Sequence, residues 1–363
     1  MAMSGVFVPI FINFKFSNII GFTLHHFNHF YGEKPLKLRS TYIIRIIMLT
    51  MLMLVPYMEY LKDEFHESST TVKLLALVCG MRVIGCIGIL VSDLHNQMYL
   101  IEATKYLNSV DEELMKFGKH VSYKSYSRLL LVGGSSVFFC VISSRVLFVI
   151  AGEPFWTVVI DFFITGYPFL ILNINTLYLM FFLFVIRKRF TSLMSIVNDN
   201  RRKFKESQET ESLLKMFLKM SQMYNDLYYC ANSINKFVSL ASFICVMCNL
   251  LEAMLVANLM YQGEGSFKDI YSVGTYLWLT LSTLLSPMFV EEMPGKFCRI
   301  VTGIEISDTH KELQYAKNTF LYQALHTEIK FSVCGMFSMS MSSLPEQFSF
   351  CISLVLVMYQ IAG

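Results

Sequence analysis

The sequence predicts an all-α membrane protein with seven transmembrane helices, the N-terminus cytoplasmic and the C-terminus extracellular. Three observations carry this. The chain is 54% hydrophobic and only 16% charged, where soluble domains run near a quarter charged. Apolar runs long enough to cross a bilayer recur along its 363 residues. The basic residues fall almost wholly on one side of those runs.

A span needs about 20 apolar residues, and seven stretches meet that length: 41–61, 72–94, 129–151, 155–186, 237–261, 270–290 and 345–363. The segments between them sort by charge. Residues 1–40 and the loops 95–128, 187–236 and 291–344 together hold 24 Lys and Arg, and the opposite side holds 3: Lys62, Lys73 at the edge of the second span, and Lys268. The rich side is cytoplasmic, an orientation opposite to that of a G-protein-coupled receptor. The cytoplasmic loops are long and read as helix. Leu213, Leu214, Phe217, Leu218 and Met220 recur at helical spacing, as do Phe320, Leu321, Ala324, Leu325 and Ile329. Helices extended past the bilayer with such faces need partners, either in the same chain or in another subunit.

The expected organisation is a cytoplasmic N-terminal segment (1–40), with a re-entrant or interfacial helix, and a six-helix transmembrane ligand-binding region (41–290). A cytoplasmic anchor helix region (291–344) and a seventh, pore-lining helix (345–363) follow. The N-terminus lacks a basic n-region and is interrupted by Lys15, so it is a poor signal peptide. His25 and His29 lie four apart, but with no carboxylate nearby they read as a solvated or interfacial face. No metal and no cofactor is expected.

Nine cysteines lie mostly in apolar runs at spacings that match no zinc framework, and they read as small buried hydrophobes. No H-E-x-x-H, G-x-x-x-x-G-K-[ST] or G-x-G-x-x-G occurs, and no enzyme is suggested. A net charge of +3 does not imply nucleic acid as a partner.

Arg45, Arg82, Asp93, Arg145, Asp161 and Glu252 fall inside predicted spans. Each costs about 2.5–3.5 kcal/mol near the bilayer centre, so each should face protein or water. Arg145 and Asp161 flank the turn near Gly152 at similar depth, and they are expected to pair as a structural ion pair. The outer halves of the spans hold Trp156, Tyr167, Asn173, Asn175, Tyr276 and Trp278. Aromatics with a few polar groups suit a small-molecule pocket, and they equally suit membrane-interface belts.

At about 100° per residue, Glu346, Ser349, Ser353, Leu356 and Gln360 share one quadrant of the last helix. That narrow stripe fits a pore lined by copies of itself from several subunits. It fits equally a polar seam packed within the chain.

Two short motifs carry a resemblance. Cys334-Gly335-Met336-Phe337 matches a C-G-hydrophobic-F run before a last helix. Farther on, Ser353-Leu354, the apolar spacer Val355 to Tyr359, and Gln360-Ile361 align with a T-Y, five hydrophobic residues, Q-F ending. Ser replaces Thr, Leu replaces Tyr and Ile replaces Phe. With the topology, these make the chain resemble the insect gustatory receptors of the insect chemoreceptor superfamily.

The resemblance implies a tetrameric tastant-gated cation channel in the plasma membrane of gustatory neuron dendrites, as a homotetramer or with other receptor subunits. Its ligand pocket would lie among Trp156, Tyr167, Asn173, Tyr276 and Trp278. Gln360 and Ile361 would form or flank the gate, with Leu356 a hydrophobic constriction and Glu346 at the cytoplasmic end. Two other readings stand beside it. One is an odorant-receptor-type subunit that requires a co-receptor. The other is a secondary transporter, for which no inverted repeat or pair of Gly/Pro-broken helices is present.

Overall fold

The computed structural model describes residues 50–55, 57–58, 70–119, a few isolated positions between 135 and 149, 154–206, 210–262, 267–306 and 310–362. The first and third expected spans, 41–61 and 129–151, therefore lie mostly outside the described residues, as do Arg45 and Arg145.

Long helices dominate. Helix α1 runs Thr70–Lys116. The short α2, Phe155–Asp161, passes through a π turn, Phe162–Gly166, into α3, Tyr167–Glu206. Then come α4, Thr210–Tyr261, α5, Phe267–Leu285, and α6, Met288–Thr302. Helix α7 covers Lys311–His326. A two-strand hairpin, β1 Ser332–Val333 and β2 Phe337–Ser338, leads through one 3₁₀ turn to α8, Leu344–Ala362.

Proline explains both interruptions. Pro168, with no N–H to give, sits just after the π turn, where the ladder must widen to accommodate the missing bond. Thr165 Oγ1 steadies that turn by donating to the backbone oxygen and Oδ1 of Asp161, each at 3.0 Å. Ser286-Pro287 parts α5 from α6. The predicted span 270–290 therefore contains a proline break rather than one uninterrupted helix.

Among the described residues three helical stretches are long and apolar enough to cross a membrane: 155–201, 211–261 and 273–302. Shorter apolar stretches fall at 76–92 and 344–357. Past these stretches the helices continue as a second bundle, so the molecule has a spanning half and an extension half. In the spanning half α1 and α4 share the most extensive helix contact among the described elements. Small residues allow that approach: a Cβ added at Gly85 would come 2.5 Å from Ile244 Cγ2. Gly80 likewise meets the Tyr57 ring edge-on, and the Tyr57 hydroxyl donates to the Ala76 carbonyl at 3.2 Å.

The extension half buries a continuous core from α1, α3, α4, α6, α7 and the hairpin. Tyr224 is its hub, meeting Phe190, Phe297 and Phe320 and donating to the carbonyls of Ala324 and Thr327. Fully buried Arg189 makes a two-pronged bond to Asp111, Nε to Oδ1 and Nη2 to Oδ2, both at 3.0 Å. Its Nη1 reaches the Val185 carbonyl at 3.1 Å. Burial nonetheless pushes the Asp111 carboxyl up to about 6 against the pull of Arg189.

Candidate ligand and pore sites

Two arrangements stand out in the spanning half: a buried polar centre among α1, α3, α4 and α5, and the free face of α8.

The polar centre begins with Arg82, which α1 carries into the core at 1% exposure. Its Nη2 lies 2.5 Å from Oε2 of Glu252 on α4, itself 3% exposed. Such burial is tolerated because each charge has the other, and because the guanidinium also lies over two rings. It sits 5.7 Å from the Phe169 centroid on α3 and 5.3 Å from that of Tyr276 on α5. The two rings meet edge-to-face at 6.0 Å, and the Tyr276 hydroxyl bonds to the Glu252 carboxylate. Four helices thus converge on one ion pair. Helix α4, which supplies Glu252, packs against both α1 and α5.

Polar groups continue one and two turns along the same helices. Asn173 Nδ2 donates to the Phe169 carbonyl at 2.7 Å. Thr176 Oγ1 lies 3.4 Å from Thr283 Oγ1 and 3.7 Å from Cys245 Sγ, and Asn249 Nδ2 reaches the same sulfur at 3.4 Å. Several of these groups are incompletely satisfied. Arg82 Nε and Nη2, Glu252 Oε1, Asn173 Oδ1, Asn249 Oδ1 and Thr280 Oγ1 are buried without a hydrogen-bond partner among the described residues.

The expected ligand residues separate. Asn173 and Tyr276 belong to this centre. Tyr167 is buried in the adjoining core with Cys86 and Ile171. Trp156, at 73% exposure, and Trp278, at 70%, project from the bundle surface. Arg82 and Glu252 are legible in the sequence as in-span charges, but not as a pair: 170 positions of chain separate them. The expected Arg145–Asp161 pair lies outside the described residues through Arg145. Asp161 accepts from Thr165.

Helix α8 has two unlike sides. Gln347 and Cys351 are buried, and Leu354 and Val355 pack toward a core formed by α1 and α4 residues. Glu346, Ser349, Ser353, Leu356 and Gln360 are all exposed. Ser353 Oγ turns back to the Ser349 carbonyl at 2.9 Å, the usual way a helix satisfies a serine with no other partner. Ile361 lies in the last turn, and its side chain is outside the described residues.

The C-G-M-F motif is the tight turn of the hairpin that introduces α8. Cys334 and Gly335 take φ of 51° and 70°, and the Met336 N–H bonds to the Val333 carbonyl at 2.9 Å. Two successive left-handed residues are what a type I′ turn requires. Helix α4 holds this turn. The Ser239 hydroxyl donates to the Ser332 carbonyl at 3.1 Å and accepts from the Cys334 N–H at 2.6 Å, while Asn235 Oδ1 accepts from the Ser332 N–H at 3.1 Å. Sequence reading gives no weight to Ser239 or Asn235, because both sit in a helix that reads simply as amphipathic.

Among the described residues no cluster of His, Cys, Asp or Glu could hold a metal ion. A cleft of about 530 Å³ lies away from both sites, between α4 and α7, lined by Leu214, Phe217, Leu218, Tyr315 and Phe320 among others.

A search of curated proteins finds no match to this chain. Its fold is similar to that of the insect olfactory receptor OR5 from Machilis hrabei. The TM-score is 0.65 at 12% identity, covering 97% of this chain and 99% of that one. The same receptor in complex with eugenol gives a TM-score of 0.64 at 12% identity over the same shares. Residues 10–362 match the family described as 7tm Chemosensory receptor. That match spans the polar centre, the hairpin turn and α8 alike, and the chain belongs to the 7tm Chemosensory receptor family.

Proposed function

We propose that this chain is a subunit of a tastant-gated, non-selective cation channel of the gustatory type, a tetramer of this chain alone or with other receptor subunits. The N-terminus and the extension half lie in the cytoplasm, and four copies of α8 surround the pore. The observation that carries this reading is the exposed polar face of α8, opposite a buried face that holds the helix to its own chain. A polar stripe in an apolar layer needs water or other polar stripes, and a ring of identical helices supplies both. Glu346 would stand at the inner mouth, Ser349 and Ser353 along the lumen, and Leu356, Gln360 and Ile361 at the narrowing, where apolar rings gate by dewetting.

The tastant would bind in the outer half, at the polar centre that includes Asn173 and Tyr276, with Tyr167 beside it. Trp156 and Trp278 stand where lipid or a neighbouring subunit would meet them. Binding opens the pore only through higher affinity for the open state. Arg145 would pair with Asp161 across the turn between the third and fourth spans. Reversing both charges should restore what either single reversal destroys.

Patch-clamp recording from cells expressing the chain alone tests the reading, with a tastant panel that includes eugenol, the molecule bound in the OR5 complex. The expected result is a cation current whose permeability or block changes in Ser353→Ala and Gln360→Ala. Unchanged permeation in both variants would exclude α8 from the pore. Surface expression without current, rescued by a second receptor subunit, would favour the odorant-receptor-type reading.

A further inference from the structure

Helices α3 and α6 pack together where the spanning half passes into the extension half. They run in the same direction. Arg187 Cζ lies 5.2 Å from the Phe289 ring centroid, and farther along both helices Arg201 Nη2 donates to the Gly303 carbonyl at 2.9 Å. The apolar run stops at one level on the two of them. In α3 it ends at Ile186, and in α6 it ends at Val290. On the spanning side of that level Phe184 and Phe289 face outward, at 41% and 55% exposure. On the other side Arg187, Lys188, Arg201, Lys296 and Arg299 are exposed. Exposed aromatic rings followed at once by long cationic side chains mark the depth at which lipid head groups begin.

The cations of this patch are short of partners. Of the run Arg187-Lys188-Arg189, Arg189 turns into the core and the other two face out. Among the described residues neither the Arg187 guanidinium nor the Lys188 ammonium makes a hydrogen bond or an ion pair. Arg299 reaches only its own helix, Nε to the Gly295 carbonyl at 3.4 Å. The nearby carboxylates are mostly committed. Glu291 accepts from the Phe331 N–H at 2.8 Å, and Asp199 pairs with Lys119 at 2.7 Å. Glu292 is exposed within the patch, close enough for Arg187 and Arg299 to act on it, and Lys296 holds it at 2.6 Å. Lys296 and Glu292 cancel, and Arg187, Lys188 and Arg299 remain in excess.

We propose that Arg187, Lys188 and Arg299 bind the head group of an anionic phospholipid of the inner leaflet, a phosphoinositide in chemical class. The site goes beyond the channel reading and rests on it only in placing the extension half in the cytoplasm, the side on which anionic lipids are found. Phe184 and Phe289 set the cations at the depth of lipid phosphates, and the acyl chains would lie along the two rings. A guanidinium meets phosphate oxygens in a two-pronged fork. From Glu292, at the level of Arg187, α6 rises about 10 Å to Arg299. One phosphodiester cannot span that distance, whereas an inositol ring with phosphates on separate carbons can. A head group held from both helices ties α3 to α6 where they leave the membrane, and so stabilises their packing.

The test uses the full chain purified into phosphatidylcholine nanodiscs, with readouts that need no channel activity. The probe is a fluorescent short-chain phosphatidylinositol bisphosphate. It should bind saturably and raise Tm, and phosphatidylserine should displace it only weakly. Arg187→Gln with Lys188→Gln should weaken binding about tenfold or more, and Arg299→Gln alone about fivefold. Glu292→Gln removes the opposing carboxylate and should tighten binding about fivefold. Lys215→Gln with Lys330→Gln removes the same charge elsewhere on the extension half, and binding should stay within about twofold.

The inference is overturned if the bisphosphate binds no better than phosphatidylcholine, or if phosphatidylserine binds as tightly. It is overturned equally if the control pair weakens binding as much as Arg187→Gln with Lys188→Gln. Absence of lipid binding together with a smaller oligomer in Arg187→Gln would give the face to a neighbouring subunit instead. The channel reading fails separately. Lipid binding with no evoked current, alone or with a second subunit, would remove that reading and leave the lipid site. Evoked currents from a chain that binds no phosphoinositide would do the reverse.

Discussion

Each half of the molecule buries an arginine against a carboxylate, and the two pairs are completed differently. In the extension half Arg189 and Asp111 meet through two parallel bonds, and the remaining arginine nitrogen finds a backbone carbonyl. In the spanning half Arg82 Nη2 and Glu252 Oε2 lie within ion-pair distance, while Arg82 Nε and Nη2 and Glu252 Oε1 make no hydrogen bond among the described residues. A fully satisfied pair fixes the packing of helices, whereas a partly satisfied one in an apolar surrounding holds polar capacity in reserve for something else. The extension half thus has the character of a scaffold, and the spanning half is where the ligand site is proposed.

The largest expected effect tests the scaffold. Asp111→Ala strands Arg189, which cannot shed its charge, and should cost about 3–5 kcal/mol of stability, read as a lowered Tm with no change in ligand preference for whatever protein folds. The same pair should leave a pH signature. Asp111 has a folded value of about 6, raised from 3.8, so the folded state holds the proton more tightly. Its contribution is full below about pH 4 and is lost as pH rises through about 6, by up to roughly 3 kcal/mol. Asp111→Asn should flatten that slope in a Tm-against-pH series.

The site side of the comparison predicts a split between stability and function. Replacing Arg82 with Met and Glu252 with Leu together should be neutral or stabilising by about 1–4 kcal/mol, yet abolish ligand-evoked current. The matching replacement of Arg189 and Asp111 should leave the response intact. A current that survives the first double change would erase the distinction between the halves.

Two smaller effects sharpen it. Gly85→Ala forces α1 away from Ile244 and should cost about 1–3 kcal/mol by overpacking, detectable as reduced surface expression and Tm. Gly335→Ala meets no neighbour within 4 Å, so only its φ of 70° opposes the change. The expected loss is about 1–2 kcal/mol, concentrated at the start of α8 and visible as faster hydrogen exchange there.

Much of this was legible along the chain. The stretches 72–94 and 237–261 each fall within one helix, 155–186 runs through α2, the π turn and α3, and residues 345–362 lie in α8, because apolar runs of that length can satisfy their backbone only as helix. The polar stripe of α8 was readable for the same reason: helical periodicity alone places Glu346, Ser349, Ser353, Leu356 and Gln360 together. The break at Ser286-Pro287 was written in the proline, yet hydropathy averaged over a window passes across it.

What periodicity cannot supply is partnership between distant segments. Arg82 and Glu252 each stood out as a costly charge, and only the packing of α1 on α4 brought them to 2.5 Å. The placement of Trp156 and Trp278 on the surface, apart from Asn173 and Tyr276, depended on which way α2 and α5 rotate against their neighbours. The sequence by itself determined the helices, their apolar lengths and the stripe on the last of them, since these follow from local spacing and from the cost of an unpaired backbone in an apolar layer. Only the tertiary structure decided which charge meets which, which aromatic turns inward, and how α4 grips the turn before α8. Those contacts join residues far apart in the chain, and their energy exists only once the helices have packed.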